Sequence, residues 1–411
     1  MPLKKQNTYP RLYPNLVGGV IEAIETIFGR DVYADKVIER LFKSNKKWGA
    51  RDRAFVAESV YEIVRNWRLL WYLAGEEPSL KRKKLYKIFA LYRIISDKPL
   101  PADDKWSDVV ENKKEIEAKI HHITDAEIKH SFPEWLADLL SRNRPYWPEL
   151  AAKLNEPAGL HIRTNTLLTT RDELLQILNS EGIDAKPLSY CETGIELLQR
   201  VNVFRLESFQ RGLYEVQDGG SQLIAPFLQP KPGERIIDAC AGAGGKTLHM
   251  AALMHNKGQI IAMDVEEHKL QELRKRAARN RVDNVEVRLI EGTKTIKRLH
   301  HTADKLLLDV PCTGTGVLRR NPDTKWKLRE EYFQRVLSIQ KEILDTYTDM
   351  LRPGGFMVYA TCSLIEDENQ KQVQNFLDRK KGEYTLIREH QLLPTELDAD
   401  GFYMALIMKN E

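Results

Sequence analysis

Ile236-Ile237-Asp238-Ala239-Cys240-Ala241-Gly242-Ala243-Gly244-Gly245-Lys246-Thr247 reads as a short buried strand running into a glycine-rich turn. The pattern predicts a helix from Leu248 to Met254, then a second strand, Gln259 to Met263, that ends on Asp264. An amphipathic helix follows to about Asn280. Strand, glycine turn, helix, strand and acid in that order build the crevice that holds a nucleotide in open α/β sheets. Glycine lets the backbone approach a ligand closely. An acid at the end of the second strand accepts hydrogen bonds from ribose hydroxyls. The turn is not a P-loop, because the residues required between the first glycine and Gly245-Lys246 are missing. It is not Gly-x-Gly-x-x-Gly either, since Thr247 stands where the third glycine belongs. An adenosine without a triphosphate fits such a turn, and S-adenosylmethionine is the candidate. The plain alternative is a βα turn of a doubly wound domain with no ligand.

The flanking sequence extends this unit. Further strands are predicted at Arg235–Ala239, Val285–Ile290, Leu306–Asp309, Gly355–Ala360 and Tyr403–Met408, with helices between, one of them long, near Glu330 to Leu351. Alternating strands and helices imply a mainly parallel sheet covered on both faces. Arg352-Pro353-Gly354-Gly355 reads as a sharp reversal before a strand, and Gln217-Asp218-Gly219-Gly220-Ser221-Gln222 as a polar turn walling the active site. Upstream, Asn155-Glu156-Pro157-Ala158-Gly159 breaks the pattern and sets a domain boundary. Strand Leu160–Asn165, helix Arg171–Asn179 and strand-like pieces at Gly194–Leu198 and Tyr214–Gln217 make a small α+β module. Arg163 and Asn165 are open between ligand contact and strand-end roles.

The N-terminal part reads as all helix. Leu16, Val17, Val20, Ile21, Ile24, Ile27 and Phe28 recur at helical spacing, as do Phe55, Val56, Val60, Ile63, Val64 and Trp67. From Met1 to His130 there are 25 Lys+Arg against 19 Asp+Glu, in a chain whose net charge is only +4. A basic end suggests a polyanion held there, although a solvated basic surface is the preferred reading of this feature taken alone. The run Lys81-Arg82-Lys83-Lys84, with Lys87, is open in the same way between phosphate contact and solubility. With 411 residues, two or three domains are expected, and 42% hydrophobic residues suffice for packed cores. No apolar run approaches the ~20 residues that span a bilayer. The start, Met1 to Asn7, lacks a signal peptide's apolar segment. The four cysteines form no Cys-x-x-Cys pair, which argues against a zinc site and a disulfide framework. The expected setting is therefore a reducing cytoplasm, with no metal and no membrane.

Two of those cysteines carry the chemistry. Asp309-Val310-Pro311-Cys312-Thr313-Gly314-Thr315-Gly316 follows one predicted strand, and Thr361-Cys362-Ser363 follows another. Both thiols thus fall at the C-terminal ends of strands, the ligand-binding edge of such a sheet, near the glycine turn. A single buried cysteine is usually packing. Two beside a nucleotide turn point to nucleophilic chemistry. Carbon 5 of cytosine is a poor nucleophile. A thiolate that adds to carbon 6 makes an enamine whose carbon 5 attacks the methyl of a sulfonium. Addition needs an acid or hydrogen-bonding group at the N3 side, a part Asp309 is placed to play.

Asp238–Thr247, Asp264–Leu270, Leu308–Trp326 and Tyr359–Asn369 resemble the RNA 5-methylcytidine methyltransferases, most closely the bacterial Sun/RsmB group that acts on 16S ribosomal RNA. Gly401-Phe402-Tyr403-Met404-Ala405 is similar to that family's last strand, and the N-terminal helices, more loosely, to its NusB-like RNA-binding domain. The resemblance implies a Rossmann-like class I methyltransferase domain at 230–411, a small α+β connecting module at 155–229 and a helical NusB-like domain at 1–154. It implies Cys362 as nucleophile and Cys312 as the thiol that assists release of the methylated base. The opposite assignment, with Cys312 as nucleophile, is the rival. It further implies that Cys240, Ala241, Gly242, Ala243, Gly244, Gly245 and Lys246 line the methionine part of S-adenosylmethionine. Asp264 would hold its ribose, and Asp309 would lie beside both cofactor and base. Lys246 has a second reading, as a salt-bridge partner that orients Asp309. Thr293, in Glu291-Gly292-Thr293, stands where the family's adenine-contacting acid belongs and is taken as a cofactor contact on that ground; either Glu291 substitutes from its neighbouring position or the adenine contact is different. Glu366-Asp367 replaces a usual proline. The expected enzyme is a monomeric RNA cytosine-C5 methyltransferase. Ribosomal RNA is the first substrate and transfer RNA the alternative. A non-catalytic RNA-binding assembly factor and a DNA cytosine methyltransferase are the remaining rivals.

Overall fold

The computed structural model describes residues 12–101, 103–142 and 144–411. The reading of Met1 to Asn7 lies outside the described residues. The chain forms two compact units: the part up to Glu156 together with Arg320–Lys327, and Pro157–Arg319 with Leu328–Glu411.

The larger unit begins with a small sheet. Strands β1 (Leu160–Thr164), β2 (Ala185–Pro187), β3 (Gly194–Leu197) and β4 (Tyr214–Val216) lie in the order β2-β3-β1-β4, all antiparallel. Helix Arg171–Ser180 crosses it and starts on a capping box, in which Thr170 accepts from the Glu173 N–H and Glu173 from that of Thr170. Ile162, Leu174, Leu178, Ile195 and Tyr214 form its core.

The main sheet has seven strands: β5 (Arg235–Asp238), β6 (Gln259–Asp264), β7 (Val285–Leu289), β8 (Ala303–Asp309), β9 (Leu351–Thr361), β10 (Tyr384–Leu392) and β11 (Phe402–Lys409). Their order is β10-β11-β9-β8-β5-β6-β7, parallel from β9 to β7 and antiparallel at β10 and β11. Alternate side chains feed opposite faces. Ile237, Ile261, Leu306, Leu308 and Tyr359 pack with Ile343 and Leu344 of helix Glu330–Tyr347 and with Phe376 of helix Gln370–Arg379. Ile236, Ile260, Leu307 and Val358 pack with Ile224 and Leu228 of helix Gly219–Leu228 and with Met250 of helix Gly245–Leu253. This is the expected doubly covered, Rossmann-like fold. The sheet runs outward both ways from β5 and β8, so the crevice opens at the carboxyl ends of those two strands.

Four local expectations are corrected. Gln217–Gln222 is not a turn: Asp218 accepts from the Gly220 N–H and caps helix Gly219–Leu228. Arg352–Gly355 is not a reversal but the start of β9, with a register shift against β8 between Ala303 and Lys305. Strands β2 and β10 were not expected. The helix after the glycine turn starts at Gly245 rather than Leu248.

The smaller unit is helical, built on Pro14–Gly29, Ala34–Ser44, Ala50–Arg65, Trp67–Ala74 and Arg82–Ile95 with shorter pieces. The apolar spacing is realised as a core of Val20, Ile24, Val60, Val64, Leu70 and Phe89. Phe28 stacks on Trp67 at 3.9 Å. Arg320–Lys327 is part of this packing. Asp323 accepts from the Ala34 N–H at 2.7 Å, and the Trp326 indole donates to the Val64 carbonyl at 2.7 Å. Lys325 is buried and donates to the Arg65 carbonyl and the Asn155 side chain at 2.8 and 3.0 Å. Burial, helped by Arg65, drives its pKa well down.

Candidate active site

Each functional side chain is held at the C-terminal edge of the main sheet. The glycine turn leaves β5 with Gly242 and Gly244 at φ +54° and +86°. A Cβ on Gly244 would lie 2.5 Å from Leu273, so this position requires glycine on both counts. Asp264, at the end of β6, accepts from the Gly242 and Glu266 N–H groups at 2.9 Å each. A cavity of about 330 Å³ opens beside the turn, with Cys240, Gly242, Asp264, Ile290, Asp309 and Tyr347 in its wall. A carboxylate at the end of the second strand, apolar flanks and a bare glycine backbone suit a nucleoside with a short polar tail, so the residues present fit S-adenosylmethionine.

The two cysteine loops meet because β8 and β9 are neighbouring parallel strands, with Asp309 in register with Ala360. Cys312 Sγ lies 3.2 Å from Cys362 Sγ, and both thiols are half-buried. The contact with Cys362, then burial and the charge of Glu368, push the Cys312 thiol well up and keep it protonated. Lys246 donates to Asp309 at 2.5 Å. Burial alone would lower the Lys246 pKa, but Asp309, with help from Cys362, raises it, so the ammonium persists. The Cys240 thiol is also pushed well up, by burial and then by Asp238, Asp309 and Asp264, and is no thiolate.

The remaining predicted residues are placed as follows. Ala241 packs inward with Leu248 and Leu273. The Ala243 carbonyl accepts from Arg276 at 2.7 Å, and the Gly245 carbonyl from Arg163 at 2.6 Å. Thr293 opens the short helix Thr293–Lys297, is exposed, and is not part of the cavity wall, where Ile290 stands instead. Arg163 and Asn165 take structural roles. Arg163 bonds Gln217 as well as Gly245, and Asn165 donates to the Gly212 and Asn280 carbonyls at 2.9 and 3.0 Å.

Sequence reasoning placed Glu368 and Thr313 in the family's stretches but gave neither a role. Glu368 is buried and accepts from the Thr313 N–H at 2.8 Å, the Thr313 hydroxyl, the Ser363 hydroxyl at 2.5 Å and the Gln340 amide at 3.0 Å. The available signal was two hydroxyl residues, Thr313 and Ser363, each directly following a reactive cysteine.

The chain matches the family model of the 16S rRNA methyltransferase RsmB/F over residues 225–408, and that of the RsmF/B-like ferredoxin-like domain over residues 132–204. It is 36% identical over 290 residues to the ribosomal RNA small subunit methyltransferase B of Vibrio vulnificus (strain YJ016), covering 68% of this chain and 67% of that protein. The crystal structure of PH0851 superposes with a TM-score of 0.81 at 24% identity, over 97% of this chain and 100% of its own, a likeness of fold. A methyltransferase homologue from Pyrococcus horikoshii matches with a TM-score of 0.62 at 28% identity, over 69% of this chain and 98% of its own. Identity at the level of the Vibrio relative, sustained over 67% of that protein, reflects common descent rather than convergence on a fold. The chain therefore belongs to the 16S rRNA methyltransferase RsmB/F family and is an S-adenosylmethionine-dependent RNA methyltransferase.

Proposed function

We propose that this chain methylates carbon 5 of a cytosine in ribosomal RNA, 16S rRNA first, through a covalent bond between Cys362 Sγ and carbon 6 of the base. The observation that carries the reading is the pair of sulfurs 3.2 Å apart, at the ends of the neighbouring parallel strands β8 and β9. The likeness of Thr361-Cys362-Ser363 to the family's Thr-Cys-Ser motif favours Cys362 as the attacking group and Cys312 as the group that serves release.

Cys240, Gly242, Asp264 and Asp309 would hold S-adenosylmethionine, which when bound supplies an electrophilic methyl on a sulfonium sulfur. The Cys362 thiolate adds to carbon 6, and the electron pair moves onto the ring. Asp309 hydrogen-bonds the N3 side, held there by Lys246. Once carbon 5 carries the methyl, its proton leaves to a base and the carbon–sulfur bond breaks. The base must leave its stack to reach these loops, so a looped or single-stranded cytosine is the substrate.

We infer a division of labour along the chain: 1–154 grips RNA, 155–229 connects and 230–411 catalyses. In the basic run, Arg82 pairs with Glu25, and Lys84 and Lys87 pair with Glu76. Among the described residues Lys81 and Lys83 have no acidic partner and are left for phosphate. One chain supplies both thiols, the cavity and the Lys246–Asp309 pair, which supports a monomer. Two thiols at this distance need a reducing cytoplasm to stay free.

Bisulfite sequencing of ribosomal and transfer RNA from cells lacking the protein tests the substrate. The expected result is one ribosomal cytosine that loses protection and regains it with the wild-type chain but not with Cys362→Ser. A lost site in transfer RNA would move the substrate there, and no lost site would remove the reading.

A further inference from the structure

We propose that Glu368 is a positioning residue that sets the distance between the sulfurs of Cys312 and Cys362. The inference rests on the reading of those two cysteines as the reacting pair.

The argument is geometric. Thr313 follows Cys312, and Ser363 follows Cys362. Glu368 accepts from both: one oxygen takes the Thr313 and Ser363 hydroxyls, and the other takes the Thr313 N–H at 2.8 Å. The second oxygen also accepts from Gln340 at 3.0 Å, and Gln340 in turn donates to the Pro311 carbonyl at 2.9 Å. The carboxylate thus ties the Pro311–Thr313 loop to the Cys362–Ser363 loop and to the long helix behind them. Its own backbone is anchored as well. The Tyr359 hydroxyl donates to the Glu368 carbonyl at 2.7 Å, and Asn369 donates to the Ser363 carbonyl at 2.9 Å.

A buried carboxylate with four donors is satisfied, and charge-assisted bonds of this kind are the strong ones. Glutamine can keep these ties: its oxygen would face the Thr313 and Gln340 N–H donors and its amide nitrogen the two hydroxyls, which accept as well as donate. Methionine has a similar volume and can accept none of the four. The charged groups that bear on Cys312 are Cys362 and Glu368, and Glu368 bonds both cysteine loops. A packing role alone would tolerate Glu368→Met; a positioning role would not.

The test uses the full-length protein and two readouts. Diamide oxidises adjacent thiols: two thiols lose two protons and two electrons to form one disulfide, and the diazene becomes a hydrazine. Peptide mapping then gives the rate at which the Cys312 and Cys362 peptides become joined. In Glu368→Met, closure should slow at least about tenfold, and kcat for methyl transfer should fall on the order of 100-fold, the cost of a misplacement near 1 Å. KM for S-adenosylmethionine should stay within about twofold, since ground-state binding is untouched. Thr313→Val removes one tie at constant volume. It should slow both rates by about fivefold, the worth of one hydrogen bond, and it decides the matter if Glu368→Met does not fold. Wild-type closure rates in a folded variant would overturn the proposal. So would slowed closure with wild-type kcat. If the wild-type chain transferred no methyl to cytosine, the functional reading would fall, while the closure rates would still judge the role of Glu368.

Discussion

Lys246 and Asp309 show how a single residue's role is set by what lies across the sheet edge. The glycine turn was legible in the sequence because strand, glycines and acid fall in one short stretch. Its contact with Asp309, 63 positions away, was legible only as one of two readings. Glu368 was legible only as a member of the Tyr359–Asn369 stretch, without a role. An acid in a polar loop looks solvated, and only the fold shows that its four donors come from positions 28 to 55 residues away or from the cysteine loop itself. Thr293 is the opposite case: read as a cofactor contact, it stands exposed outside the cavity wall. Asp238 carries a prediction at this scale. Burial, against a hydrogen bond from Thr247, raises its carboxyl from 3.8 to about 7. The folded protein keeps the proton up to about pH 7, whereas the unfolded chain releases it near 3.8. Unfolding therefore releases a proton in that window, and stability falls as pH rises through it, by up to ~4 kcal/mol. Urea melts at several pH values should show this loss in the wild type and not in Asp238→Asn. Equal slopes would refute it.

Elements were read well where their burial was uniform. β5, β6, β8 and β9 carry near-continuous apolar runs because both faces are covered, and such runs announce themselves. β10 was missed because it is an edge strand, mostly exposed from Thr385 to His390, with no apolar alternation to find. Helix Gly219–Leu228 hid behind its two leading glycines, which sequence reasoning takes for a turn. The loops beyond β8 and β9 are fixed by backbone contact as well as by Glu368. Gly316 donates to the Cys362 carbonyl at 2.9 Å and accepts from Gly401 at 2.9 Å. A Cβ at Gly316 would sit 2.1 Å from the Gly401 oxygen and 2.9 Å from the Cys362 oxygen, both backbone atoms that cannot swing aside. Gly316→Ala should cost about 1–3 kcal/mol in thermal melts, as overpacking does, and should reduce methyl transfer. A neutral effect on both would show that the loops are not held this way.

The whole molecule joins a helical unit to an α/β unit, and the chain leaves the second for the first at Arg320–Lys327. Most of that stretch falls within Leu308–Trp326, which carries the family resemblance in the sequence. Its Asp323, Lys325 and Trp326 are fastened into the helical unit by partners distant in the chain that no local pattern reveals. The basic run at 81–87 was likewise only half legible, since its pairing with Glu25 and Glu76 cannot be seen without the fold. If the helical unit grips RNA, Lys81→Glu with Lys83→Glu should weaken RNA binding and flatten its salt dependence by about two counterions. The affinity for S-adenosylmethionine should not change. An unchanged salt slope would remove that surface from the account. The central claim, that Cys362 attacks the base while Cys312 frees it, is tested by one gel. Each cysteine variant is incubated with S-adenosylmethionine and a labelled ribosomal RNA fragment, then denatured and separated. The account predicts a covalent protein–RNA band that accumulates in Cys312→Ser and is absent from Cys362→Ser, which transfers no methyl. A band in Cys362→Ser, with none in Cys312→Ser, would contradict it.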